Sequence, residues 1–335
     1  MSSSSPTVAR VLIDPAGLEF SVTEKEPLLR SGLRAGLPMP HDCCTGNCGT
    51  CKFQLLEGEV LQLWPEAPAQ NARDIARGRF LACQTTVTAD ARIKALGWPG
   101  ELVPNRPARM EAILAERQHL TNSLSRFSFR TKLPAEFLPG QFALIAFSGV
   151  EGERAFSMSN LPNAEGNWEF IVRRGNGPGT AALFDMPVGC KVHIDGPFGK
   201  AFLREADRPI LCIAGGSGLA PIMSIMRRLA ESERGGIIDL FIGARSADEL
   251  CMLDEIESWR RASLTKANYV ISEGEGSDWG GDVGFVHQFL VSRCRRPLSD
   301  YEVYLAGPPP MIDAVTAVLR DHDVPAQDVH FDRFY

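Results

Sequence analysis

The sequence predicts a multidomain chain that joins an α+β domain, an antiparallel β-barrel and a parallel-sheet α/β domain, and three patterns carry that expectation. Cys43, Cys44, Cys48 and Cys51 crowd into one short loop that follows a hairpin-like opening. From about 107 to 204 the chain falls into short alternating stretches cut by Pro and Gly clusters, the spacing of an antiparallel barrel. From about 208 to 335 apolar runs alternate with helical stretches, the pattern of a parallel sheet with crossover helices.

In the first region Val11 and Ile13 alternate with polar neighbours, Asp14 to Gly17 supplies turn residues, and Leu18, Phe20 and Val22 alternate again. That is a hairpin signal. A short helix from about Pro27 to Ala35 follows, ending at Gly36. Gly97 to Pro107 breaks both periodicities, so the first domain is assigned residues 1–98 and a linker residues 99–106. Within the second domain, 107–204, the expected strands include Arg126 to Arg130, Phe142 to Phe147, Trp168 to Val172 and Lys191 to Ile194. The third, 205–335, offers Ile210 to Ala214, Ile237 to Ile242, Tyr269 to Ile271 and Val303 to Leu305 as buried strands. No internal repeat is visible.

Composition excludes several functions. The 335 residues carry 41 acidic and 35 basic side chains, a formal charge of −6. That balance gives no electrostatic reason to bind nucleic acid or an anionic membrane. A small metabolite or another protein is the expected partner. Met1, Ser2 to Ser5 and Pro6 show no basic stretch leading into an apolar run, which reads as a loose tail and not a signal peptide, and a cytoplasmic location is expected. Pro209 to Met226 is uncharged over 18 residues, close to the ~20 that cross a bilayer. Gly215, Gly216, Gly218 and Pro221 interrupt it, so a buried strand, a glycine turn and a helix are expected instead.

Nine cysteines without an export signal argue for metal or redox work over disulfides. Cys190, Cys212, Cys251 and Cys294 are scattered and read as small core residues. Cys43, four residues, Cys48, two residues, Cys51, and Cys83 after 31 more, form the ligand spacing of a plant-type 2Fe-2S cluster. Iron and sulfide need soft anionic sulfur donors, and four complete tetrahedral coordination at both irons. Zinc, the competitor, usually uses two matched Cys-x-x-Cys pairs, and Cys83 has no such neighbour. Cys44 as first ligand would shorten the gap to Cys48 by one. With Leu55-Leu56-Glu57-Gly58-Glu59-Val60 and Leu63-Trp64-Pro65, this segment resembles the ferredoxin-type domain of NADH-dependent oxygenase reductases, especially those of toluene-type monooxygenases.

In the second domain Pro139-Gly140-Gln141-Phe142 precedes a strand and Arg154-Ala155-Phe156-Ser157 follows. Arg154 can pair bidentately with a pyrophosphate while Ser157 meets a flavin edge and Phe156 packs on its face. An Arg at a strand end with Phe156 in the core is the alternative. The tetrapeptide resembles the Arg-x-Tyr-Ser motif of the ferredoxin–NADP reductase superfamily, with Phe156 lacking the phenol. That resemblance makes Ser157 the single catalytic candidate. It also assigns the flavin phosphates to Ile171-Val172-Arg173 and Gly177-Pro178-Gly179-Thr180, although Arg173 reads equally as a solvated strand charge. Asp195-Gly196-Pro197-Phe198-Gly199 resembles the turn that leaves the barrel.

In the third domain Gly215-Gly216-Ser217-Gly218-Leu219-Ala220-Pro221 follows an apolar run and opens a helix, where unpaired N–H groups attract a pyrophosphate. Pro221 fits the first helical turn. The turn resembles the superfamily's Gly-Gly-x-Gly-x-Ala-Pro. Ile242-Gly243-Ala244-Arg245 resembles the stretch that meets the adenosine half of the nucleotide. Asp248 and Glu249 beside it would repel a 2′-phosphate and accept from a free ribose hydroxyl, favouring NADH; an exposed acidic helix start is the alternative, and Arg245 also tolerates NADPH. In Tyr304-Leu305-Ala306-Gly307-Pro308, Ala306 stands where the family has Cys near the nicotinamide. Phe331-Asp332-Arg333-Phe334-Tyr335 resembles the aromatic end of the toluene-type reductases, where one ring, Tyr335 among the candidates, covers the flavin.

The resemblance spans nearly the whole chain and implies a β-grasp 2Fe-2S domain, an FAD-binding barrel and an NAD-binding domain. It implies an NADH-dependent electron-transfer reductase feeding a separate terminal oxygenase, expected to be a soluble di-iron hydroxylase, with a Rieske dioxygenase or cytochrome P450 system as the alternative. A cluster-containing redox sensor with vestigial nucleotide sites is the rival of another class. The hydroxylated substrate is a property of the partner, not of this sequence.

Overall fold

The computed structural model describes residues 8–335 except 24, 103, 206, 233–235, 262–264 and 275–277; the tail expected at Ser2 to Pro6 lies outside the described residues. Two compact units emerge: residues up to Arg109 with Asp195–Lys200, and Met110–Ile194 with Ala201–Tyr335.

The first unit holds β1 (Val8–Ile13), β2 (Leu18–Thr23), α1 (Leu28–Arg34), β3 (Lys52–Glu57), β4 (Leu61–Gln62), α2 (Ala72–Ala76), β5 (Arg79–Leu81), β6 (Thr85–Thr86) and β7 (Ala91–Ala95). Its five-stranded sheet runs β2-β1-β7-β3-β5, with β1 parallel to β7 and the other pairs antiparallel. The alternation at Val11, Ile13, Phe20 and Val22 turns those side chains inward, where Leu28, Leu29 and Leu33 of α1 cover them. The expected hairpin and helix are both present, the helix trimmed at each end. Asp195, within this unit, has a buried carboxylate, 1% exposed, which Arg30 and Arg34 of α1 hold at 2.9 and 2.6 Å. A buried carboxylate requires such cationic partners.

Next come β8 (Ala108–His119), β9 (Leu124–Thr131), β10 (Phe142–Ala146), β11 (Glu153–Ser157), β12 (Asn167–Arg173), α3 (Pro178–Asp185) and β13 (Lys191–Phe198), which lie in the second unit except for β8 up to Arg109 and β13 from Asp195 on. The sheet order is β11-β10-β13-β8-β9-β12. An antiparallel bridge from Met158 to Phe170 brings the two edges together, which closes a barrel around Phe127, Phe129, Trp168 and Phe170.

The chain continues with β14 (Ile210–Gly215), α4 (Leu219–Glu231), β15 (Ile238–Ala244), α5 (Leu253–Arg261), β16 (Thr265–Ile271), β17 (Asp282–Val283), α6 (Leu290–Arg293), β18 (Glu302–Gly307), α7 (Pro309–Asp321) and β19 (Val329–Arg333). All strands are parallel in the order β17-β16-β15-β14-β18-β19. Chain order reverses between β14 and β18, and such a switch point opens a ligand crevice at the carboxyl ends of its strands. The uncharged stretch 209–226 is β14, a short 3-10 turn and α4, as expected. Among the described residues no helix is long and apolar enough to cross a membrane. Barrel and parallel sheet pack as one unit because α4 reaches across: Ser224 donates to the Asn160 carbonyl at 2.7 Å and Arg227 to that of Ser159 at 2.8 Å. Arg227 is held in turn by a bidentate pair with Glu255.

Candidate functional site

Three sites follow the three motifs. In the first unit the loop before β3 presents Cys43 and Cys48 half-buried and Cys51 buried, and Cys83 sits buried on the turn after β5. The thiols come as two pairs. Cys51 Sγ lies 3.3 Å from Cys83 Sγ, and Cys43 is hydrogen-bonded to the Cys48 side chain, which draws its thiol down to about 6. Cys48 is pushed up by holding the shared hydrogen, and Cys83 by its hydrogen bond to Cys51 and by burial. The backbone N–H groups of Thr45 and Cys48 point at Cys43 Sγ from 3.5 and 3.4 Å. Among the described residues no three His, Cys, Asp or Glu side chains group around a single ion position. Two thiol pairs with N–H groups aimed at sulfur fit a binuclear cluster, one pair per iron. Cys44 is buried, with burial pushing its thiol up, and takes part in neither pair. Trp64, 41% exposed, lies beside this loop: a Cβ on Gly46 would stand 3.4 Å from its ring.

In the barrel, Arg154 and Phe156 lie on β11 and Ser157, buried, ends it. Arg154 and the first turn of α3 come together although 25 positions separate Arg154 from Gly179: a Cβ on Gly179 would lie 2.5 Å from Arg154 Cγ. Gly177 caps α3, Pro178 opens it, and Thr180 is half-buried in the first turn. A guanidinium at the positive end of a helix is a site for a pyrophosphate. Phe156 rests edge-on against Phe147 and Phe170 at 6.3 Å each, leaving it half-buried. Gly179→Ala should press into the base of Arg154 and lower flavin retention several-fold. The ratio of flavin to protein absorbance after gel filtration measures it, and an unchanged ratio counts against the assignment.

In the parallel sheet Gly215, Gly216 and Gly218 lie at the tip of β14, with Pro221 buried in the first turn of α4, and Gly307 and Pro308 lie at the tip of β18. The two turns touch: a Cβ on Gly218 would lie 2.1 Å from the Ala306 carbonyl oxygen. Met311 packs against both, its side chain 2.5 Å from a Cβ on Gly215 and 2.7 Å from one on Gly307. The chain end returns to the same place, where Phe334 N–H donates to the Gly307 carbonyl at 3.0 Å. Phe334 packs on the core, while Tyr335 is 62% exposed.

Arg173 is not gathered with Arg154 at α3. Its guanidinium grips Glu249 in a two-pronged pair of 2.8 and 3.0 Å and lies over Gly216. Arg245 grips the same Glu249 at 2.8 Å, and Asp248 is exposed. Glu249 is held down to about 2, chiefly by the hydrogen bond from Arg173.

Comparison with known proteins agrees with this geometry in chain order. Residues 11–88 match the model of the 2Fe-2S iron–sulfur cluster binding domain, 111–202 that of the oxidoreductase FAD-binding domain, and 212–317 that of the oxidoreductase NAD-binding domain. The chain is therefore an oxidoreductase with domains for a 2Fe-2S cluster, FAD and NAD. It is 40% identical to a ferredoxin–NAD(P)(+) reductase of Metapseudomonas resinovorans, over 92% of this chain and 94% of the relative. It is 38% identical to the ferredoxin–NAD(+) reductase component of the alkene monooxygenase system of Xanthobacter autotrophicus, over 95% and 98%. A solved ferredoxin reductase in carbazole 1,9a-dioxygenase superposes with a TM-score of 0.90 at 34% identity, covering 99% of this chain and all of that one. The chain belongs to the ferredoxin–NAD(P)(+) reductase family.

Proposed function

We propose that this chain is the NADH-dependent reductase component of a terminal oxygenase system, working in the cytoplasm, with a soluble di-iron monooxygenase as its acceptor. The observation that carries it is the pairing of four thiols, Cys43 with Cys48 and Cys51 with Cys83, in a chain that also bears a nucleotide crevice at a parallel-sheet switch point. When bound, FAD and the cluster supply the conversion of a two-electron hydride into single electrons. The side chains have humbler tasks: holding, orienting and keeping out water.

In this reading Cys43, Cys48, Cys51 and Cys83 hold the cluster, and Arg154 with Gly177, Gly179 and Thr180 at the start of α3 holds the flavin pyrophosphate. Ser157 stands at the flavin edge, and Phe156 offers a ring face without a phenol. Gly215, Gly216, Gly218, Pro221, Gly307 and Pro308 line the nicotinamide nucleotide's crevice, and Arg173 over Gly216 serves that nucleotide and not the flavin phosphates. Arg245 and Asp248 flank the adenosine ribose. Tyr335, exposed beside Gly307, covers the flavin face until nicotinamide enters. We assign residues 1–98 to the cluster domain, 99–106 to the linker, 107–204 to the flavin domain and 205–335 to the nucleotide domain.

Anaerobic stopped-flow mixing with NADH tests the reading. Flavin bleaching followed by loss of the cluster's visible absorbance supports it, and a flavin inert to NADH overturns it. A dioxygenase acceptor is the second reading, favoured by the likeness to the carbazole 1,9a-dioxygenase reductase; reconstitution with each class of oxygenase separates the two.

A further inference from the structure

We propose that Ser224 and Arg227 of α4 are positioning residues for hydride transfer, tying the nucleotide crevice to the backbone just beyond Ser157 and so setting how nicotinamide meets flavin. The inference rests on the reading that 215–221 receives the nucleotide and that Ser157 stands at the flavin edge.

α4 starts at the crevice, with Pro221 in its first turn. Ser224 and Arg227 follow at steps of three residues, which places them on one face of the helix. At a rise of about 1.5 Å per residue, both lie within about 10 Å of that turn along the axis. A helical serine can turn back on its own helix. Ser224 Oγ instead donates to the Asn160 carbonyl at 2.7 Å, and Arg227 Nη1 donates to the Ser159 carbonyl at 2.8 Å.

These two acceptors are consecutive peptides, two and three residues past Ser157, and β12 holds them firmly. Met158 bridges to Phe170, and Ser159 N–H donates to the Glu169 carbonyl at 2.7 Å. Asn160 Oδ1 accepts from Glu169 N–H at 3.0 Å, while its amide donates to the Asn167 carbonyl at 2.8 Å. On the other side Arg227 is fixed by its two bonds to Glu255 of α5, with Glu169 of β12 3.7 Å away.

Ser224, Ser159 and Asn160 are all buried. Hydrogen bonds here add little net stability, since each replaces bonds to water, and apolar side chains would hold the two layers together as well. What directional bonds add is register. Two of them on neighbouring carbonyls fix both the slide and the rotation of α4 against the barrel. Hydride transfer depends on that register, because a displacement of about 1 Å can cost about a hundredfold in rate.

Anaerobic stopped-flow of the flavin-loaded protein over a range of NADH concentrations separates the dissociation constant from the limiting rate of flavin bleaching. Ser224→Ala should lower the limiting rate about tenfold and Arg227→Met more, with the long-wavelength charge-transfer absorbance of the nicotinamide–flavin pair weakened alongside. The NADH dissociation constant should stay within about threefold. Arg227→Lys, a cation without the guanidinium fork, should recover part of the rate. Ser224→Ala deletes a single oxygen, so it keeps the test decisive if the Arg227 variants lose flavin. A limiting rate and charge-transfer band unchanged in Ser224→Ala, whatever happens to thermal stability or to the dissociation constant, overturns the positioning role. A wild-type flavin inert to NADH removes the underlying reading instead, so the two failures are told apart.

Discussion

Replacing Cys83 by serine is expected to cut NADH-driven reduction of the terminal acceptor by more than about a hundredfold, since even supporting groups around metal ligands cost 10- to 100-fold when changed. The same variant should keep NADH-driven flavin bleaching near the wild-type rate. Cys83 is buried against Cys51 with a sulfur separation of 3.3 Å, so a hydroxyl there faces one iron position with no alternative donor among its neighbours in the pair. Serine is a harder donor, and its hydroxyl is far more reluctant than a thiol to ionise. Cys44 does not rescue the site, because it is buried outside both pairs and its thiol is pushed up by burial. The flavin residues lie in the other compact unit, so bleaching serves as an internal control for folding. Iron and labile-sulfide content, read with the visible spectrum, reports the cause directly. Full iron content with normal acceptor reduction would remove Cys83 from the ligand set.

The thiol set was legible because ligand spacing is written along the chain, and the spacing already excluded Cys44. Barrel and parallel sheet were legible because alternation and apolar runs survive in a single sequence. What spacing cannot show is which thiols face each other, since Cys51 and Cys83 meet only when β3 and β5 pair. The two-residue strands β4 and β6 went unseen for a different reason: two residues are too few to have a period. Long-range ionic partners were invisible throughout. Asp195 read as part of an exit turn, yet it answers Arg30 and Arg34 some 160 positions away. Arg173 read equally as a phosphate ligand or a solvated strand charge, and its partner Glu249 lies 76 positions on. Glu249 itself was visible beside Asp248, but only the fold distinguishes the anchored carboxylate from the exposed one.

Gly218→Ala should close the other end of the relay. The added methyl would stand 2.1 Å from the Ala306 carbonyl oxygen and 2.4 Å from its carbon. These are backbone atoms of β18, which is hydrogen-bonded on both sides to β14 and β19, so they cannot step aside as a flexible side chain can. The turn of 215–218 must therefore shift away from 306–308, the two walls of the crevice between β14 and β18. Overpacking of this kind costs about 1–3 kcal/mol, and if it appears wholly in nucleotide binding it lowers affinity by up to about a hundredfold. NADH-driven flavin bleaching should fall in step, whereas reduction of the flavin and cluster by dithionite, which needs no nucleotide site, should be unaffected. The pattern is the reverse of that for Cys83→Ser, where electrons enter but do not leave. Titration with NAD+ tests it without turnover: a dissociation constant within about twofold of wild type, with flavin content intact, would show that 215–218 is not where the nucleotide binds.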